Sequence, residues 1–393
     1  MTARADSTRV VATVALCTVA ATSATAATEK VLYSFEAGAD LIGRLDQDSK
    51  GVLYGAAQGL DGYGAIFRLR QKNGVWHYTT LFDFNNTDGA YPYAGPLMDR
   101  STGVLYGTTV DGGDSGNGTV FSVAPAVRRW SENVLHGFSG SDGAYPYAGL
   151  LRDKATGNLY GTTSRGGRYG CGTAFELIES NGKWTFSTIY SFRGGSDACS
   201  PVLQLKPGAK PGTLIGGAGS GGYGQLFQLK EAHGVWSDSI VYSFTGGDGR
   251  FPTDLDATSE GTIYGVTQAG GQYGYGVVFK LAPTLKKYGY SVIYNFRGGS
   301  DGANGIGINV DGATGNLYGT TDLGGTAGGG TLFGLVPNGN TWTETVLHSF
   351  TGGANDGDVP ASRPILDRTT GALYGTTQYG GANGGGTVYM VQP

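Results

Sequence analysis

Three short phrases recur seven times along this chain, and any fold proposed for it must repeat seven times as well. The first is Leu-Tyr-Gly or a near relative, with Tyr54, Tyr106, Tyr160, Ile215, Tyr264, Tyr318 and Tyr374 as its second residues. The second, typified by Gly-Thr-Val-Phe, contributes the aromatic residues Phe67, Phe121, Phe175, Phe227, Phe279, Phe333 and Tyr389. The third, typified by Val-Leu-Tyr-Ser-Phe, ends at Phe35, Phe84, Phe138, Phe192, Phe244, Phe296 and Phe350. In five copies the first two marks lie 15 residues apart, a constancy that chance does not produce. Eight residues before the phenylalanines of the third mark stand Trp76, Trp130, Trp184, Trp236 and Trp342, with Tyr288 in the sixth copy and Ala27 in the first.

Each repeat of about fifty residues reads as four short strands, lettered A to D, separated by Gly, Asp, Asn and Pro turns. In the third repeat the pattern predicts strand A over 148–152, B over 158–163, C over 173–178 and D over 184–192. Gly 73 in 393 residues, with Tyr 24 and Phe 16, fits tight turns between aromatic strands and shows no collagen-like period. The first copy begins with a strand D, Val31 to Phe35, and the last stops at a strand C, Thr387 to Met390. These two fragments sum to one unit, which predicts a ring closed by the N-terminal strand and removes the exposed edges of an open stack. The expected fold is therefore all-β: a seven-bladed β-propeller with four antiparallel strands per blade.

The segment before the repeats reads as an address. Arg4 and Arg9 precede an apolar run from Val10 to Ala21, and Ala24-Thr25-Ala26 offers a small-residue cleavage site. Residues 1–26 are thus expected to be a secretory signal peptide, and 27–393 a single propeller domain in a secreted or periplasmic protein. A lipoprotein signal fits less well, because Leu16 precedes Cys17 where a small residue is needed. Cleavage would lower Lys+Arg from 27 to 25 and Asp+Glu from 31 to 30, leaving a net charge of −5. A mildly acidic chain without a basic run argues against nucleic acid and against anionic membrane surfaces. No later segment reaches the roughly 18 apolar residues of a membrane span. A monomer is expected.

Phrases such as Ala148-Gly149-Leu150, Gly157-Asn158-Leu159-Tyr160-Gly161-Thr162-Thr163 and Gly118-Thr119-Val120-Phe121 resemble the choice-of-anchor tandem repeat proteins that carry the Gly-Val ("GloVer") repeat. The likeness covers nearly the whole chain after residue 26. It implies secretion and, in many members, a C-terminal surface anchor. This chain departs from that pattern, because no sorting tail precedes Pro393. The family brings no activity that can be placed on particular residues. A looser likeness, to the sensor propellers of two-component regulators, is one of fold alone.

Propeller geometry puts the D-to-A and B-to-C loops on one face and the A-to-B and C-to-D loops on the other. The first face is the richer. Its D-to-A loops carry Asp40, Asp88, Asp142, Asp197, Asp248, Asp301 and Asp356. A ring of carboxylates around a channel mouth could hold a cation or a polyhydroxy ligand. An aspartate recurring in every blade, however, more often accepts backbone amides and shapes the turn. The aspartates after strand A, Asp99, Asp153, Asp311 and Asp367, read as turn formers too. The calcium-loop alternation is absent, no His or Cys cluster has metal-ligand spacing, and no cofactor is expected. His136 and His348 stand where other copies have Tyr190 and Tyr242, so they read as packing residues.

Residues that vary between blades are better ligand candidates. Tyr91, Tyr145, Arg168, Tyr169, Arg250, Tyr273 and Tyr275, beside the aspartates 88, 142, 248, 301 and 356, are the expected ligand contacts. Aromatic faces beside carboxylates and guanidinium groups suit a glycan or a protein ligand. A catalytic propeller needs acid–base residues unique to one or two blades, and no such pair stands out. The expected role is therefore a non-catalytic binding or scaffold propeller outside the cytoplasm. A glycan lyase or hydrolase at the channel mouth, and a purely structural envelope component, are the alternatives. Cys171 and Cys199, the two cysteines after the signal segment, lie in B-to-C and D-to-A loops of one face and are expected to form a disulfide.

Overall fold

A computed structural model describes residues 27–393 except 128, 196, 220, 221 and 286; the expected signal peptide lies outside the described residues. The chain forms seven antiparallel sheets in a ring, a seven-bladed β-propeller with no α-helix among the described residues. In the third blade the strands are Leu151–Arg152, Leu159–Thr163, Thr173–Ser180 and Lys183–Ser191, paired in that order from the axis outward. The inner strand is shorter than its sequence suggests. Strand C runs two residues longer, strand D begins and ends one residue earlier, and the two meet at a two-residue turn at Asn181 and Gly182. The last blade is composite. Its strands run from the axis as Gly357–Pro360 with Ile365–Leu366, Leu373–Gly380, Gly384–Gln392 and, outermost, Thr28–Glu36. The first strand pairs antiparallel with the last, Val31 opposite Tyr389 and Ser34 opposite Thr387, and so closes the ring.

Packing explains why the three marks keep their spacing. The glycine of each Leu-Tyr-Gly lies opposite the aromatic residue of strand C, as Gly161 opposes Phe175. The tip of the ring covers the glycine, so a Cβ on Gly161 would fall 2.3 Å from Phe175 Cζ. The same contact recurs from Gly55 on Phe67 to Gly375 on Tyr389. Blades are then joined in both directions around the ring. The strand-D phenylalanine packs forward on the strand-C ring of the next blade, Phe35 on Phe67 at 5.1 Å through to Phe350 on Tyr389 at 4.9 Å. The tryptophan packs backward on the Leu-Tyr-Gly tyrosine of the preceding blade, as Trp130 does on Tyr54 and Trp184 on Tyr106. Aromatic pairs of this geometry add to the burial energy that holds neighbouring sheets together.

The loops of the D-to-A and B-to-C face are fixed by backbone geometry. One residue per D-to-A loop takes a positive φ near 50–60°: Asp40, Tyr91, Tyr145, Ser200, Phe251, Asn304 and Val359. In six of the blades, the first excepted, the amide of this residue bonds the B-to-C loop of the preceding blade, for example Tyr145 to Asn117 and Phe251 to Tyr223. Glycine would take this conformation at lower cost, yet in every blade the position carries a side chain.

Candidate functional site

The loop aspartates shape their own turns. Asp142 accepts hydrogen bonds from the Ser139 amide at 2.8 Å and the Ser139 hydroxyl at 2.9 Å. Asp88 accepts the Asn85 amide, Asp248 that of Thr245, Asp301 that of Arg297 and Asp356 that of Thr351. A second tie reaches the residue two before the strand-D phenylalanine. Tyr190 donates to Asp197, Tyr242 to Asp248 and Tyr294 to Asp301, while His136 and His348 bond Asp142 at 2.9 Å and Asp356 at 3.1 Å. Histidine and tyrosine alternate here because either can meet the carboxylate across the loop. Burial pushes Asp248 and Asp356 upward, but these hydrogen bonds prevail and hold both below the usual carboxylate range. The aspartates after strand A behave alike, Asp153 accepting the amides of Ala155 and Thr156.

The aromatic candidates share one face. Tyr91, Tyr169, Tyr273 and Tyr275 are exposed, and Tyr145 is half-buried. Arg168 and Arg193 both lie over the Tyr169 ring at 5.4 Å, Arg165 over Tyr145, Arg250 over Phe251 and Arg297 over Tyr273. Beside them Cys171 and Cys199 are bonded, with Cα atoms 4.6 Å apart, tying the B-to-C loop that carries Tyr169 to the next D-to-A loop. Sequence reasoning passed over Tyr93 and Tyr147, which pack edge to face at 5.3 Å just before the innermost strands of adjacent blades. The available signal was the phrase Ala-Tyr-Pro-Tyr-Ala-Gly, present at 90–95 and again at 144–149. Tyr63, Tyr223 and Tyr379 complete the set. Every exposed aromatic side chain among the described residues lies at the D-to-A or B-to-C end of its blade.

A second group, also missed in the sequence, sits on the axis. Strand pairing places Asp46, Leu97, Leu151, Lys206, Asp256, Asn309 and Ile365 opposite the seven Leu-Tyr-Gly positions. Two residues earlier in each blade stand Arg44, Gly95, Gly149, Gln204, Asp254, Gly307 and Arg363. The glycines leave room for their neighbours: a Cβ on Gly95 would fall 1.6 Å from the Arg44 carbonyl oxygen, and one on Gly307 2.3 Å from Arg363 Cα. In the space so kept, Gln204 Oε1 accepts from Arg363 at 2.9 Å, Lys206 at 3.0 Å and Arg44 at 3.2 Å. Arg363 also pairs with Asp254 at 3.2 Å and Asp256 at 3.1 Å. From this cluster a funnel of about 1840 Å³ opens to the A-to-B face, past loop residues 48–51, 153–155, 208–213 and 367–370.

The model of the Gloeobacter/Verrucomicrobia repeat matches residues 41–258 and 251–393, which together take in nearly all of the propeller. The chain belongs to the Gloeobacter/Verrucomicrobia repeat family. Among solved structures, this family member resembles an ancestral GH74 enzyme with a TM-score of 0.57 and 12% identity, over 90% of this chain and 48% of that one. It also resembles a hypothetical selenium-binding protein from Sulfolobus tokodaii, with a TM-score of 0.54 and 11% identity over 75% and 74% of the two chains. A protein from Lactobacillus plantarum is similar at a TM-score of 0.50 and 13% identity, over 89% and 87%. Likeness at these identities is one of fold. No curated protein matches the family member in sequence. Among its described residues no helix is long and apolar enough to cross a membrane.

Proposed function

We propose that this chain is an extracytoplasmic, non-catalytic recognition propeller that binds a glycan on the face formed by the D-to-A and B-to-C loops. The observation that carries this reading is the gathering of the exposed aromatic rings on that one face, among them Tyr93, Tyr147, Tyr169 and Tyr273. Tyrosine offers a flat apolar surface with a polar rim and loses little conformational freedom on binding. Sugar rings present the matching pattern of C–H faces and hydroxyl edges. The arginines beside Tyr145, Tyr169 and Tyr273 orient the rings and supply hydrogen-bond donors to a bound hydroxyl. Non-catalytic binding is favoured because the loop carboxylates spend their oxygens on the amides of their own turns. A location outside the cytoplasm is supported by the sequence of residues 1–26 and by the disulfide on the same face.

A glycan-array screen of the purified propeller tests the proposal, followed by titration of the bound glycan. Tyr169→Ala and Tyr273→Ala should each weaken binding by tenfold or more without lowering the melting temperature. A propeller that binds no glycan on the array, or whose binding survives loss of both rings, refutes it.

A further inference from the structure

The axial cluster and its funnel lie at the opposite end of the ring from the aromatic face and call for a separate explanation. Three cationic side chains converge on one neutral amide oxygen, that of Gln204. Only one of the three is well neutralised: Arg363 has both Asp254 and Asp256 against its guanidinium. Lys206 has Asp256 at 3.6 Å, a carboxylate it shares with Arg363. Arg44 makes a single hydrogen bond, to Gln204, and no ion pair among the described residues. Burial and the nearby Arg363 charge push the Lys206 amine down to about 7, and the same two causes lower Arg44. Asp46, Asp254 and Asp256 offset this in part for Arg44 without touching it, and a buried cation with no carboxylate in direct contact is costly. Both under-neutralised groups, Arg44 and Lys206, line the funnel, whereas Arg363 stands behind them.

The wider wall has the same bias. Ten arginine and lysine side chains line the funnel against five aspartates, in a chain whose formal net charge is −4. A concave wall with an excess of one sign concentrates ions of the other. Repetition of the blade does not explain the cluster either, because three of the seven equivalent positions are glycine and only four carry the functional groups.

We propose that the funnel on the A-to-B face is a second binding site, for a small ligand bearing a carboxylate or phosphate group, whose oxyanion is held by Arg44 and Lys206 beside the Gln204 amide. Arg363, with its two carboxylates, is a positioning residue that keeps Gln204 and Lys206 in place from behind.

The test is calorimetric titration of the purified propeller with sodium phosphate and, separately, sodium glucuronate, at ionic strength fixed with sodium chloride and with glucose as the neutral control. At least one anion should bind saturably and glucose should not. Phosphate alone would assign a phosphorylated ligand, glucuronate alone a sugar acid, and both the oxyanion itself. Arg44→Gln should weaken binding by tenfold or more, Arg44→Lys should retain part of it, and Tyr169→Ala should leave it unchanged. If Arg44→Gln does not fold, Lys206→Met provides the same loss from the other side of Gln204. Absence of saturable binding by both anions, or equal affinity in a folded Arg44→Gln or Lys206→Met protein, overturns the proposal. Neither result bears on glycan binding at the far face.

Discussion

Acidic partners at the blade interfaces should make this propeller lose stability as the pH rises from about 5 to 8. Two residues after the tryptophan position, strand D carries Glu29, Glu132, Asp238 and Glu344 in four blades and Tyr78, Phe186 and Tyr290 in the others. Each of the four acids faces the loop aspartate of the preceding blade: Glu29 faces Asp356, Glu132 faces Asp88, Asp238 faces Asp197 and Glu344 faces Asp301. One carboxyl oxygen of each is buried without a hydrogen-bond partner. Burial first, and the facing carboxylate second, push Glu29, Glu132 and Glu344 up to about 7. A carboxyl whose folded pKa is raised holds a proton that the unfolded chain has lost. Its stabilising contribution is therefore complete below the unfolded value of about 4.5, fades as the pH rises to the folded value, and is gone above it. At about 1.4 kcal/mol per pKa unit the full shift would reach roughly 3 kcal/mol per site. These groups are only half-buried, and solvent screening reduces that to about 1 kcal/mol each.

The variant E29Q/E132Q/E344Q keeps the shapes and removes the titration. At pH 8 it should be about 3 kcal/mol more stable than the parent, or about 4 °C in melting temperature for a chain of this size, and the advantage should shrink towards pH 5. The measurement is differential scanning calorimetry of both proteins at pH 5, 6, 7 and 8, at constant ionic strength. Titration of His136, whose pKa burial lowers, is common to both and cancels in the difference. Parallel curves for parent and variant would refute the reasoning.

Removing residues 28–36 should lower the melting temperature and produce oligomers, because the strand Gly384–Gln392 loses its partner; a monomeric, equally stable deletion, seen by light scattering and calorimetry, would count against closure. Phe192→Ala should cost about 3–5 kcal/mol, as for a fully buried core ring, while Tyr169→Ala should cost less than about 0.5 kcal/mol at an exposed loop site; chemical denaturation distinguishes them, and equal losses would mean that the strand and loop assignments are wrong. Breaking the Cys171–Cys199 bond, which spans a sequence separation of 28, should cost roughly 3 kcal/mol on loop-entropy grounds. Intact-mass measurement of the chain without residues 1–26, after denaturing alkylation without reduction, should show no added alkyl group; uptake of two would rule out the bond.

The parts of this structure that repeat were legible in the sequence, and of the parts that break the repeat the Cys171–Cys199 bond was legible while the axial cluster and the interblade acids were not. Gly161 and Phe175 announce themselves because the ring-on-glycine contact must be made in every blade, so its two ends recur at fixed spacing. Asp142 and Asp356 were legible as turn formers for the same reason, although their bonds to His136 and His348 were not. The axial cluster is different. Arg44 lies 160 residues from Gln204, and Arg363 lies 107 from Asp256, on or just before inner strands whose following turns differ in length. Only the register of each inner strand against strand B shows that they meet at the axis. The interblade acids are hidden likewise, because Glu132 and Phe186 fill equivalent places with opposite chemistry. A contact between neighbouring blades leaves no spacing within either one.

The composite blade gives the molecule a built-in proof of completeness. A circle cut inside a sheet, rather than between two sheets, cannot be sealed by either end alone. Asn383 meets Ser34 across 349 residues of chain, so the seal forms only after the whole circumference has been laid down in register. A copy that lacks either closing strand would show its lapse at once, as a bare sheet edge open to proteases. The fold thereby inspects its own synthesis, and a surviving ring is evidence that both closing strands are present.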